Sequence, residues 1–113
     1  MEQPETLVCP VVENSWRARV AAWVLRGGKT AMVFGRTIHL HNLTMEQFLT
    51  NKEWVCHELT HVHQYRQYGY FGFLYRYVWE TIKHGYYNNR FEKEARAAEK
   101  SYHLMEGVSF FKK

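Results

Sequence analysis

Residues 51–68 constrain the fold more than any other stretch, because they read as one helix with two incompatible sides. At about 100° per residue, His57, His61, Gln64 and Tyr68 fall within roughly 60° of one another. Val55, Leu59 and Val62 fall on the opposite side, between about 140° and 200° from His57. Such a helix needs a core behind it and a polar cleft in front. Asn51 or Thr50 supplies its N-cap, and Gly69 follows Tyr68 as the stop.

On the polar side stands Cys56-His57-Glu58-Leu59-Thr60-His61, a His-Glu-x-x-His motif. Histidines four apart lie about 40° apart around the axis and roughly 6 Å apart along it, so both imidazoles reach one metal ion. Glu58, about 100° round from His57, projects beside them and reaches a metal-bound water without ligating the metal. One Zn2+ held this way acidifies water to near neutral pH, which is hydrolytic chemistry. Catalytic zinc takes three protein ligands and keeps one open position. The best source of the third is residues 88–99, an Ala-rich helical pattern with Asn88 or Asn89 as cap. There Glu92, Arg96, Glu99 and His103 share one face, within roughly 60°, while Glu94 falls on the far side. Ala95 and Ala98 form a small-residue flank suited to close helix packing.

His57-Glu58-x-x-His61 followed by a helical Glu92-x-Glu94-Ala95 resembles the gluzincin class of zinc metallopeptidases, and the short chain resembles its single-domain minigluzincin members. The likeness spans about residues 30–106. It implies His57, His61 and Glu92 as zinc ligands and Glu58 as general base. It also implies an edge strand beside the cleft, here Thr37–His41, that pairs with an extended peptide. Many gluzincins carry Asp or Asn four residues after the glutamate ligand; this chain has Arg96 there and no aspartate anywhere. Arginine cannot accept an imidazole N–H. Glu99, Glu53 or a backbone carbonyl is therefore expected to orient the histidines, with Arg96 pairing to Glu92 or Glu99 and Gln64 beside them. Tyr86, Tyr87, Tyr102 and His103 are the candidates for a second oxyanion donor, while His39 and His41 are poor ligand candidates. The expected activity is hydrolysis of a peptide or protein substrate. The alternative is a zinc-binding protein without turnover, an interaction module on a peptidase scaffold.

The net charge of +4 invites a nucleic-acid reading, but the 15 Lys and Arg residues form no long basic run. No nucleic-acid partner is expected. No apolar stretch is long enough for a transmembrane segment, and the first residues lack a signal-peptide pattern, so a cytoplasmic location is expected. Cys9 and Cys56 are expected as free thiols; a less favoured reading lets a mobile Cys9 arm cap the zinc.

The rest of the chain reads as α+β, mainly helical, with a short antiparallel two- or three-stranded sheet beside the metal helix. Residues 1–13 form an arm and residues 14–113 one domain. A helix over 15–26 buries Trp16, Val20, Trp23 and Val24, and strands 30–34 and 37–41 flank Gly35-Arg36. Thr44-x-x-Gln47 is a capping box. A helix over 71–83 carries the stripe Phe71, Leu74, Val78 and Ile82, its aromatics packing behind the metal helix. The runner-up for Phe71 to Trp79 is a membrane-surface contact or a groove for a hydrophobic partner. The glutamate helix runs on to Gly107, leaving a Phe-Phe-Lys-Lys tail.

Overall fold

Local signals set most helix ends in the computed structural model, which describes residues 7–25 and 27–113. Thr44 Oγ1 accepts from Gln47 N and Gln47 Oε1 from Thr44 N, closing the capping box of α2, Met45–Thr50. Asn51 Oδ1 caps α3, Lys52–Tyr68, and Gly69 ends it at φ 76°. There a non-glycine residue would be strained. The chain then enters α4, Tyr70–Asn88, which bends at Gly85. Asn89 caps α5, Arg90–Ala97.

Upstream lie β1 (Leu7–Val12), α1 (Trp16–Leu25), β2 (Thr30–Phe34) and β3 (Thr37–His41). Downstream are a 3-10 turn (Tyr102–Met105) and β4 (Val108–Lys112). The fold is α+β and mainly helical. Its sheet is larger than expected: four strands in the order β2-β3-β1-β4, antiparallel only between β2 and β3. β1 runs parallel to both β3 and β4. The supposed arm and tail therefore become an interior strand and an edge strand; residues 1–6 of the arm lie outside the described residues. Pro10 fits inside the sheet because β3 pairs with Val11 and Val12 only, leaving Pro10 flanked by β4 alone. Cys9 is fully buried, which rules it out as a mobile cap on the metal site. Both cysteines are free. Burial pushes the Cys9 thiol up to about 11, against the pull of Arg36 and Arg66.

The core fills the space between the sheet and the apolar back of α3: Val11, Ile38 and Leu40 meet Val55, Leu59 and Val62, with Phe48 fully enclosed. Burying a side chain like Phe48 contributes about 2–3 kcal/mol. Three expectations are corrected. In α1 the buried residues are Ala18 and Ala22, whose small size lets the helix lie close on β2 and β3. Trp16, Val20 and Trp23 face solvent; the side chain of Val24 lies outside the described residues. In α4 the buried residue is Phe73, packed on Tyr65 and Phe91, while Phe71, Val78 and Ile82 stand exposed. The glutamate helix stops at Ala97, well before Gly107, where the Ala98 N–H turns back to the carbonyls of α5. No described helix is long and apolar enough to cross a membrane.

Candidate metal centre

The one-turn spacing on α3 sets the His57 and His61 rings 5.1 Å apart, edge to face. What meets them is decided by Asn89, a fully buried cap at the start of α5. Its Oδ1 accepts from Phe91 N, and its Nδ2 donates to the Tyr77 carbonyl (3.1 Å) and Thr81 Oγ1 (3.0 Å) on α4. A cap bonded to a second helix fixes where α5 begins, and hence where its first turn points. Ala95, fully buried, lets α5 approach α3 closely. Glu92 is thereby delivered between the imidazoles, Oε1 lying 2.9 Å from His57 Nε2 and 3.1 Å from His61 Nε2.

Each histidine is held from behind. His57 Nδ1 lies 2.8 Å from Glu99 Oε2, and His61 Nδ1 lies 2.8 Å from Gln64 Oε1. Gln64 donates in turn to the Phe91 carbonyl and to Glu94. Acceptors at both Nδ1 atoms turn both Nε2 atoms toward Glu92, the orientation a metal ligand needs. Tyr77 donates its hydroxyl to Glu92 Oε2.

Charge is distributed unevenly. Burial opposes the charged form of His57, but the hydrogen bond to Glu92 and the nearby Glu58 and Glu99 prevail and push it up to about 9. Burial likewise works against ionised Glu92, and the hydrogen bonds from both histidines overcome it, holding the carboxyl well below the usual range. Glu58 differs. Burial pushes it up to about 7 despite the two histidines, and its Oε2 is buried without a hydrogen-bond partner. A buried acceptor left unpaired costs about 1–3 kcal/mol.

The donor set fits a metal ion. One ligand atom each from His57, His61 and Glu92 lies within 4.8 Å of the others. Donors about 2.1 Å from a tetrahedral ion sit roughly 3.4 Å apart, a few tenths beyond the two separations seen. Two imidazoles and a carboxylate suit zinc and several other first-row divalent ions, so the donors alone do not name the metal.

The cluster opens into a cleft of about 930 Å³ bounded by α1, β2 and α4. The strand beside it is β2, a true sheet edge, and not the expected Thr37–His41, which is enclosed between β2 and β1. His39 is buried against Ser15 Oγ instead. Among the suggested oxyanion donors, Tyr86 lines the cleft, whereas Tyr87, Tyr102 and His103 do not. Arg96 stacks on the Tyr87 ring and donates to its carbonyl, rather than pairing with Glu92 or Glu99. Glu53 lines the cleft but leaves both Nδ1 atoms to Glu99 and Gln64. Sequence reasoning missed Tyr77. The signal was present: Phe73 and Tyr77 are four apart on α4 and share a face beside the stripe expected to be inward, roughly 60–100° round from Leu74. Set against protein-family models, curated proteins and solved structures, the chain matches none.

Proposed function

We propose that the chain is a zinc-dependent peptidase of the gluzincin kind, with His57, His61 and Glu92 as the ligands. The observation that carries this reading is the buried, unpartnered Oε2 of Glu58 beside a convergent three-donor cluster. A fold tolerates such a group where its use repays the cost. Zinc bound there supplies a Lewis acid for the scissile carbonyl and lowers the pKa of water. Glu58, buried beside the cluster, would act as the general base toward water there and return the proton to the leaving amine. Glu99 and Gln64 hold the imidazoles in the ligating orientation, and Tyr77 anchors the other oxygen of Glu92. Tyr86, in the cleft wall with its hydroxyl pKa raised by burial, keeps its proton and offers a second oxyanion donor. The free edge of β2 gives an extended peptide main-chain partners without demanding its sequence. Two free thiols fit a reducing compartment such as the cytoplasm.

Two measurements test the proposal. Elemental analysis is expected to find one zinc per chain, lost in His57→Ala and Glu92→Ala. Glu58→Gln is expected to keep zinc while hydrolysis of a peptide library falls about 10²–10⁴-fold. Full hydrolysis by zinc-loaded Glu58→Gln refutes the mechanism. Zinc with no cleavage by the native chain returns the scaffold reading in its place.

A further inference from the structure

Eleven of the 14 large apolar side chains that stand exposed among the described residues lie on just two helices, α1 and α4. On α1, Trp16, Val20 and Trp23 fall within roughly 60° of one another, with Arg17 and Arg19 on either flank. Trp23 is 82 % exposed. On α4, Phe71, Tyr75, Val78, Trp79 and Ile82 fall within roughly 100°, and Lys83 and Arg76 follow on the Trp79 side. Phe71 is 80 % and Ile82 69 % exposed. Acidic groups avoid both stripes: α1 has none, and Glu80, the one on α4, turns away to accept from Arg90 N. Trp16 and Val20 border the same cleft as Val78, so the two stripes frame one opening.

We propose that this face docks on an anionic phospholipid surface, α1 and α4 each entering the headgroup region with their aromatic stripe. Helices with tryptophan and phenylalanine on one side and Arg or Lys beside it lie in that interface. The aromatic rings suit its depth, and basic flanks add attraction to negative headgroups. The chain's net charge of +4 has the matching sign. Two stripes separated by an open cleft suit a fluid surface that each enters separately.

Docking is independent of the peptidase reading, because it is measured without zinc or substrate. The full chain is mixed with vesicles of phosphatidylcholine alone or with phosphatidylserine added, and sedimented. Binding is expected on the anionic vesicles, weakened by added salt and accompanied by a blue shift of tryptophan emission. Trp23→Glu and Ile82→Glu, both at exposed positions, are expected to weaken it at least about tenfold each with unchanged circular dichroism. Replacing Arg17 and Arg19 with glutamine is expected to reduce the preference for phosphatidylserine. Absence of vesicle binding overturns the proposal. Absence of binding together with a dimer that Trp23→Glu dissociates assigns the face to a second copy instead. Vesicle binding that none of these variants alters also overturns it.

Discussion

At the seam between α3 and α5, His61, Gln64, Glu58 and Glu92 are buried; His61, Gln64 and Glu92 hydrogen-bond to neighbours, whereas Glu58 Oε2 has no partner. On the outer side of α4, a short distance along the chain, Phe71 and Ile82 stand in solvent. One region encloses ionisable groups, and the other displays hydrocarbon and rings. Both run against the ordinary sorting of residues between interior and surface. The seam is tolerable because its charges are paired; burial of unpaired ones is what makes Glu58 anomalous. The outer faces are tolerable because apolar side chains left in water forgo their burial without leaving any polar group unpaired. Hydropathy alone therefore locates neither region correctly.

The contrast is sharpest between Phe73 and Phe71, two residues apart on α4 and 2 % and 80 % exposed. Phe73→Ala is expected to lower unfolding stability by about 3–5 kcal/mol in a denaturant titration. Next in size is a pH effect centred on the seam in the metal-free chain. His57 rises from 6.5 to about 9 on folding, so its contribution is complete below the lower value and lost as pH climbs through the upper one. Glu58, raised from 4.5 to about 7, acts with the same sign at lower pH, while Glu92 is lowered and its contribution persists throughout this window. Metal-free protein is expected to be on the order of 3 kcal/mol less stable at alkaline than at mildly acidic pH. A flat profile from thermal melts breaks the account of the seam. Glu99→Ala, which frees His57 Nδ1, is expected to weaken zinc binding about 10–100-fold in a competition titration with a chelator. Smallest is Phe71→Ala, expected to change stability by no more than about 0.5 kcal/mol. A loss as large as that of Phe73→Ala abolishes the distinction between the two faces.

Much of this was legible where the physics is local. The Thr44–Gln47 box, the Asn51 cap, the Gly69 stop and the Gly35-Arg36 hairpin each depend on a few adjacent residues. The His57, His61 and Glu92 grouping was legible because helical spacing is rigid, although pairing α3 with α5 rested on the family resemblance. Glu99 reaches His57 Nδ1 even though the helix expected to carry it ends at Ala97. What escaped depends on partners remote in sequence. β1 and β4 have no hairpin signal because each pairs in parallel with a strand far away. The stripes on α1 and α4 were real periodicities assigned inward, but of the four α4 residues only Leu74 packs against the core while Phe71, Val78 and Ile82 face outward. Periodicity reports that a helix has faces, and not which one another element covers. Tyr77 was lost with that assignment.

The pairing of Leu7–Val12 with Val108–Lys112 joins segments about a hundred residues apart. A growing polypeptide cannot complete this sheet until residue 112 has been synthesised, so β1 waits for β4. Closing so long a span is slow compared with hairpin formation. The β2–β3 hairpin and the capped helices are then the elements expected to form first, and clasping β1 between β3 and β4 the step expected to come last.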